Sequence, residues 1–345
     1  MRKLFYLVPV GCASLVASPI MVYGTSYLSK SGSTDAYSHI KAFERLAQEG
    51  FYTPIYWGQT VVGFLMVRLH NLFGWDYLTM FALFSSLTVL AVSLVLFKVS
   101  GNVVSGTLVV TLALIAAQGV LSMYVISATF EMMNLFVFLP LAVWLASKGF
   151  KSSQVRYLIG SIVLFATVSL FHASGFYTVP TALATSGVLA IRRDFRASGF
   201  YCLIAVLSLL LICLFSTSGT FIPKAAVTNI ISPGEVVVST VYTPMTLSYI
   251  VCYLSPIVLI LLPIGLVGVY ILRKRVVLDS YTLMYLGAFV AVLVFSIVSR
   301  VSVDWVRSLF VLSTVLAMIA GMLLGAVAQP CLRRAGLESK EGQIV

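Results

Sequence analysis

Charged residues are scarce in this sequence. Asp, Glu, Lys and Arg make up 10% of the 345 residues, whereas 60% are hydrophobic and the mean hydropathy is +1.04. Soluble domains carry about 25% charged residues, so an ordinary soluble protein is excluded. Apolar runs long enough to cross a bilayer recur from Leu4 to Ala328. We therefore expect an all-α polytopic membrane protein, with residues 1–345 forming a single integral membrane domain.

Several chemical motifs are also missing. The sequence has no Walker A motif, no GxGxxG after a strand, no paired CxxC and no HExxH. Soluble-nucleotide and zinc chemistry therefore have no support, and no cofactor is expected, although the use of a divalent metal stays open. A disulfide framework is not expected either, because the cysteines fall in apolar runs or in the final tail. They are Cys12, Cys202, Cys213, Cys252 and Cys331.

The apolar runs predict about ten transmembrane helices. Arg2 and Lys3 precede the first run, which is too long for a typical signal peptide, so we interpret it as an uncleaved signal anchor. The predicted spans are 4–28, 77–97, 103–125, 133–147, 157–172, 175–191, 197–217, 247–272, 281–299 and 308–328.

The basic residues support this topology. With the N-terminus inside, 15 of the 22 lysines and arginines fall on the cytoplasmic side, including the clusters "RRDFR" and "RKR". Both termini are then cytoplasmic, residues 329–345 form a cytoplasmic tail, and the bacterial inner membrane is the expected location. The net charge of +11 follows from orientation and gives no reason to expect nucleic acid as a partner.

Residues 29–76 form the predicted first outer loop, with amphipathic interfacial helices. Charge is concentrated in "STDAYSHIKAFERLAQEG", where Thr34 or Asp35 can cap a helix. One face of that helix would carry Ala36, Ile40, Phe43 and Ala47, so we expect it to lie along the outer membrane surface, with His39 beside a lipid headgroup. The next apolar stretch is interrupted by Gln59, Arg68 and His70, and we predict an interfacial or re-entrant helix there rather than a span.

The ionisable groups outside the basic clusters gather on the predicted outer side. All three histidines, His39, His70 and His172, fall there. Arg300, Asp304 and Arg307 have the spacing i, i+4 and i+7, so on a helix they would share one face. Two arginines in this setting suit a phosphate or pyrophosphate.

Each of these groups also has a purely structural interpretation. Asp35 can act as a helix cap, Glu131 can satisfy a helix N-terminus, and His172 can be a solvated residue at a turn. The two arginines can reach toward lipid headgroups. Against this, an ionisable residue at membrane depth is costly without a function.

Two stretches resemble the EpsG-like, Wzy-type family of bacterial polysaccharide polymerases. "SGSTDAYSHIKAF" resembles the family's outer-loop pattern around an aspartate and a tyrosine, here Asp35 and Tyr37. "LFKVSGNVVSG" and the later segment with "LFHASGF" resemble its middle section. The likeness covers roughly residues 32–183. Phe130 and Glu131 stand where that family typically has an Arg-Gln pair, a departure for which Arg300 and Arg307 are the candidate substitutes.

The opening is also similar to GT-C membrane glycosyltransferases, whose first outer loop carries a catalytic acid. Both resemblances imply transfer of a sugar or oligosaccharide from a polyprenyl phosphate or pyrophosphate carrier at the outer face of the membrane. Membrane lipids and other polysaccharide-assembly proteins are further expected partners.

In the scheme that the resemblances imply, Asp35 is the base, His39 orients it, and His172 assists the leaving phosphate with Arg300, Arg307 and Asp304. Glu131, Tyr37, Arg68 and His70 are secondary candidates, and no metal ligands are assigned.

A single-sugar transferase and a transporter or flippase of lipid-linked sugars are the main alternatives. A membrane O-acyltransferase and a structural membrane subunit are weaker ones. Polar residues near the midplane and internal repeats favour a transporter, whereas here the predicted midplanes are nearly uncharged and no internal repeat is evident.

Overall fold

The computed structural model describes residues 11, 35–49, 57–100, 104–113, 129–215, 254–273, 278–298 and 305–334. Within these ranges the regular structure is helical and contains no strand. The all-α fold is therefore confirmed. Five of the described helices are long and apolar enough to cross a membrane: Tyr77–Val99, Thr129–Ser152, Phe195–Leu214, Ser280–Val298 and Ser308–Leu332. The expected total of ten spans is not confirmed, and the predicted first span, 4–28, lies almost entirely outside the described residues.

The helices are numbered along the chain. They are α1 (Asp35–Glu49), α2 (Trp57–Phe73), α3 (Tyr77–Val99), α4 (Val104–Ala113), α5 (Thr129–Ser152), α6 (Val155–Phe171), α7 (Thr178–Ile191), α8 (Phe195–Phe215), α9 (Pro256–Ile271), α10 (Ser280–Val298) and α11 (Trp305–Arg334). A 3₁₀ helix, Ala173–Tyr177, joins α6 to α7. Most starts lie close to the predicted ones, but α11 continues to Arg334 and so includes the first six residues of the predicted tail.

Long-range contacts give the bundle two chemically different ends. At one end, which we call the histidine end, His39 and His172 lie close to the first turn of α5. At the other, the lysine end, Lys148 and Lys151 on the last turns of α5 meet Asp279 at the start of α10. The charged residues of α3 and α5–α11 all lie near the helix ends. This distribution follows from the cost of placing a charge in hydrocarbon.

Helix α2 connects two points at the histidine end. Its first turn packs on the end of α6, where a Cβ on Gly58 would clash with the carbonyl oxygen of Phe171. Its last turn leads through Gly74, at a φ of +67°, directly into α3. The helix therefore does not run the length of the bundle. Its apolar side chains Val61, Phe64 and Leu65 are exposed along one face.

Helix α1 begins at Asp35, but its buried face differs from the predicted one. Ile40 and Phe43 are buried as expected, whereas Ala47 is exposed and Leu46 is buried instead. His39 is also buried, at 6% exposure, so its predicted position beside a lipid headgroup is wrong. The reason is tertiary: α1 packs on α2 and α3, and this contact covers the side of the helix that includes His39.

Helix α4 packs very closely against α11. Gly321 and Gly325 are four residues apart on α11, so they share one face. A Cβ on Gly321 would lie 2.6 Å from Cα of Val109, and one on Gly325 would overlap Ser105. This spacing of small residues is the usual means by which membrane helices bring their backbones together.

Replacing Gly321 with Ala should lower the thermal midpoint of the purified protein, because the added methyl group forces α4 and α11 apart. Overpacking of this kind costs about 1–3 kcal/mol. Gly287 on α10 is the matched control, since a Cβ there meets nothing within 4 Å. Gly287→Ala should leave the midpoint unchanged or slightly raised, because Ala is the better helix former. Equal midpoints for the two variants would contradict the close contact.

Asp279 fixes the start of α10 to the end of α5. Its carboxylate accepts hydrogen bonds from Ser147 Oγ at 2.7 and 2.8 Å and from Thr282 Oγ1 at 2.8 Å, and it pairs with Lys151 Nζ at 3.1 Å. Burial raises the pKa of Asp279, but the hydrogen bonds from Ser147 and Thr282 and the charge of Lys151 outweigh it, so the net pKa is lowered.

The sign of this shift predicts a pH dependence. A carboxyl group whose pKa is lower in the folded protein stabilises the fold above its ordinary pKa, and this stabilisation is lost as the pH falls through the lowered value. Asp279→Asn should therefore destabilise the protein at neutral pH by about 1–3 kcal/mol. In thermal unfolding series, the difference from wild type should shrink as the pH is taken below the ordinary aspartate range. A difference that stays constant with pH would rule out this role.

Candidate functional site

An aromatic cluster lies at the centre of the histidine end. The ring of Phe130 on α5 lies 4.6 Å from the ring of His39 and 6.0 Å from that of Phe171, measured between centroids. Phe81 and Phe84 of α3 complete the cluster. Phe130 thus lies between the first-loop helix α1 and the residue that directly precedes His172. It brings the two predicted histidines to one place.

His39 is held by a side chain that the sequence did not single out for this role. Its Nδ1 atom lies 3.0 Å from the amide nitrogen of Gln59, in the first turn of α2. An amide nitrogen can only donate, so Nδ1 is the acceptor. Gln59 is itself buried, at 2% exposure. The polar interruption noticed in this apolar stretch is therefore the partner of His39.

His172 caps the 3₁₀ helix that follows α6. Its backbone is extended, and its Nδ1 atom accepts a hydrogen bond from the backbone N–H of Ser174 at 3.1 Å. A backbone nitrogen cannot be an acceptor, so Nδ1 carries no hydrogen and the neutral ring is protonated on Nε2. The structural interpretation of His172 as a turn residue is thus correct in part. The same contact also makes its Nε2 a hydrogen-bond donor.

A buried asparagine extends this network. Asn134 Nδ2 donates to the carbonyl oxygen of Val168 at 3.0 Å and to Ser174 Oγ at 3.1 Å. Ser174 Oγ is in turn 2.9 Å from His172 Nδ1. Because Nδ1 carries no hydrogen, the Ser174 hydroxyl is the donor in this contact. The chain Asn134, Ser174, His172 therefore has one consistent direction of donation.

A break in helical geometry places Asn134. Residues Asn134–Phe138 form a π-helical segment within α5, directly before Pro140. Proline has no N–H to donate and its ring crowds the carbonyl four residues earlier, so the wider turn accommodates it. Asn134 Oδ1 has no hydrogen-bond partner among the described residues, although the side chain is fully buried. Short π-helical segments within α-helices are frequent at functional sites.

His70 has the opposite arrangement. Its Nδ1 atom lies 2.7 Å from the carbonyl oxygen of Trp75, so Nδ1 is the donor, and its ring stacks on Tyr77 at 4.7 Å. These contacts brace the turn between α2 and α3, where Asp76 caps α3 through Thr79. The hydrogen bonds from Thr79 lower the pKa of Asp76 despite some desolvation. The described contacts of His70 are those of a structural residue.

The start of α11 lies at the same end. Tyr177 Oη in the 3₁₀ helix is 3.2 Å from Ser308 Oγ, so the first turn of α11, which contains Arg307, lies beside the segment that follows His172. Arg300 and Asp304 lie outside the described residues. Asp35 and Tyr37 belong to the first turn of α1, one helical turn before His39.

The remaining candidates fall in two places. Glu131 is buried in the first turn of α5, next to Phe130. Arg68 is exposed on α2, toward the end that carries His70. On α1, Lys41 and Glu44 form an ion pair at 2.7 Å on the exposed side of the helix. Among the residues that the structure describes, no three His, Cys, Asp or Glu side chains group as metal ligands.

Three residues of this site were missed by sequence reasoning: Gln59, Asn134 and Ser174. An isolated Asn within the apolar run "EMMNLFVFLP", six residues before a proline, is the signal that could have identified Asn134. Ser174 follows His172 by two residues, the spacing of a side-chain cap. Nothing in the local sequence links Gln59 to His39, because that contact depends on how α1 and α2 pack.

The hydrogen-bond directions predict different tautomers for two of the three histidines. Under mildly alkaline conditions, where imidazole rings are neutral, His172 should be protonated on Nε2 and His70 on Nδ1. Nitrogen-15 chemical shifts of histidine-labelled protein measure this directly, and His70→Gln and His172→Gln assign the signals. The same tautomer for both residues would contradict the network around Ser174.

A matched pair of serine variants tests the network itself. Ser174→Ala removes the hydroxyl donor to His172 and should shift only that histidine's nitrogen signals. Ser169→Ala removes a hydroxyl that is equally buried but bonds the carbonyl of Phe165, so it should leave them unchanged.

Comparison with known proteins adds no assignment. No protein-family model matches this sequence, and no curated protein matches it.

Proposed function

We propose that this protein is a membrane glycosyltransferase that acts on glycans linked to a polyprenyl phosphate or pyrophosphate, and that it polymerises oligosaccharide repeat units of a surface polysaccharide. The observation that carries the proposal is the gathering of predicted site residues at one end of the bundle. His39 packs against Phe130, His172 directly follows Phe171 of the same cluster, and the first turn of α11 lies beside the 3₁₀ helix that follows His172. They come from distant parts of the chain.

The reaction needs a base, a proton donor and groups that stabilise anionic charge. The bond between the anomeric carbon and the phosphate oxygen breaks, and a bond to the acceptor hydroxyl oxygen forms. Asp35, one helical turn before His39, is proposed to accept the hydroxyl proton. The carrier phosphate or pyrophosphate leaves with the electron pair of the broken bond.

The tautomer of His172 suits the departing phosphate better than the acceptor hydroxyl. A neutral ring protonated on Nε2 donates a hydrogen bond through that atom and is not a base there. Hydrogen-bond donors fixed before the reaction stabilise charge as it develops at the leaving oxygen. In this proposal Arg307, at the start of α11, and Arg300 supply the guanidinium groups for the remaining phosphate oxygens.

The position of the site fits a substrate with a long lipid tail. A polyprenyl carrier keeps its charged head near the aqueous boundary while its tail stays in hydrocarbon. The histidine end offers polar groups next to α2, whose exposed face carries Val61, Phe64 and Leu65. A transporter would need polar groups near the middle of the membrane. In α3 and α5–α11, charged residues lie only near the helix ends.

The test is complementation in the native host. The gene is deleted and variants are expressed in its place, and the surface glycan is run on a gel. Asp35→Asn should abolish the polymer ladder while the protein is still found in the membrane, since the amide cannot accept the hydroxyl proton. Glu49→Gln is the matched control, because Glu49 is an exposed acid on the same helix and should be dispensable.

The gel separates the alternatives. Loss of the ladder with single repeat units retained indicates a polymerase, whereas a uniform small decrease in mass indicates a single-sugar transferase. Accumulation of lipid-linked units inside the cell indicates a transporter. A normal ladder with Asp35→Asn would remove Asp35 from the mechanism, and an unchanged glycan in the deletion strain would overturn glycan transfer altogether.

A further inference from the structure

A polar cavity lies at the lysine end of the bundle. Its volume is about 480 Å³, within the range of small-molecule sites. It is bounded by the ends of α3 and α5, the segment before α10 and the later part of α11. Its polar lining consists of Ser100, Ser105, Ser147, Lys148, Lys151, Ser152, Asp279 and Gln329.

This cavity is separate from the histidine end. Asn134 and Ser147 lie thirteen residues apart on α5, which corresponds to about 20 Å along a helix. None of the residues proposed for glycan transfer lines it. A ligand of this cavity therefore does not depend on the proposed glycan transfer at the histidine end.

The cavity carries a net positive charge. Lys148 and Lys151 contribute two ammonium groups, against the single carboxylate of Asp279. That carboxylate is already satisfied by Ser147, Thr282 and Lys151. Its contacts hold Lys151 at the wall of the cavity and leave one unit of positive charge for a ligand.

Lys148 is positioned without being neutralised. Its Nζ atom lies 4.4 Å from the ring centroid of Tyr157 and 5.0 Å from that of Trp144. Cation–π contacts orient an ammonium group while its charge stays intact. A lysine held in this way loses less conformational entropy when it binds an anion.

Part of the cavity wall is apolar. Met322 and Ala326 of α11 line it together with Leu278. A smaller apolar cavity adjoins this one and shares Val99, Ser100 and Met322 with it. The cavity lining therefore combines cationic and polar groups with hydrocarbon surface.

We propose that this cavity binds the phosphate group of an anionic phosphoester, with Lys148 and Lys151 as its cationic ligands and the apolar wall against the carbon part of the molecule. Ammonium groups and serine hydroxyls are common phosphate ligands. Two sources share this chemistry: the head group of an anionic lipid and a soluble organic phosphate.

The experiment uses the full chain and one probe for each source. For the lipid, the protein is reconstituted in nanodiscs of phosphatidylcholine with a minor fraction of phosphatidylglycerol, and retained lipid is measured by native mass spectrometry. For the soluble ligand, glycerol 3-phosphate is titrated into detergent-solubilised protein, and the thermal midpoint is followed.

Lys148→Gln should weaken binding of the preferred probe about tenfold, the effect of losing one charge-assisted hydrogen bond. Lys148→Arg keeps the positive charge and should retain most of the binding. Lys98→Gln is the matched control, because Lys98 is exposed at the same end but does not line the cavity. Lys148→Met, which preserves the aliphatic stem, replaces Lys148→Gln if that variant does not fold.

The two probes identify the source of the phosphate. Retention of phosphatidylglycerol alone indicates a lipid head group, and a response to glycerol 3-phosphate alone indicates a soluble ligand. Failure of wild-type protein to bind either probe would overturn the proposal. Equal weakening by Lys98→Gln and Lys148→Gln would also overturn it, because it would reveal general attraction to a basic surface.

Discussion

Hydrocarbon offers no partner for a hydrogen bond, and this constraint organises the whole structure. A polar group inside the bundle that has no partner within the protein is therefore costly. Serine and threonine side chains along α3 bond to backbone carbonyls of the preceding turn, as Ser85 and Ser93 do. The charges on α3 and α5–α11 lie near the helix ends, because water there lowers the cost of a charged group. Two polar regions result, one at each end of the bundle.

The two regions are built differently. At the histidine end, neutral groups form directed chains: Gln59 donates to His39, and Asn134 and Ser174 fix the tautomer of His172. At the lysine end, formal charges meet across helices, and Asp279 joins Lys151 to the start of α10. A hydrogen-bond network of neutral groups with fixed donors and acceptors suits the positioning of a proton on one atom. A cavity with a net positive charge suits the binding of an anion. The distinction between the ends is thus chemical as well as topological.

Sequence reasoning predicted the coarse architecture well and the contacts poorly. Apolar run length was sufficient to locate α3, α8, α10 and α11, because the thickness of the bilayer sets the length of a span. The periodicity of apolar residues was a poorer guide to the buried face of α1. It predicted that Ala47 is buried, whereas packing on α2 and α3 buries Leu46 and His39 instead. The partners of the histidines could not be predicted, since they depend on helices distant in sequence. The cavity at the lysine end was missed because its lysines had served only as indicators of orientation.

The π-helical segment of α5 determines what the loss of a residue from this helix would do. A π turn holds one residue more than the α-helical pattern would, so the two parts of α5 are out of phase by about 100° relative to an uninterrupted helix. Asn134 therefore faces Ser174 while Ser147, on the same helix, faces Asp279. Loss of a single residue between 134 and 138 would restore regular geometry and turn one end away from its partners. The extra residue of the π turn thus sets how Asn134 and Ser147 are oriented relative to each other about the axis of α5.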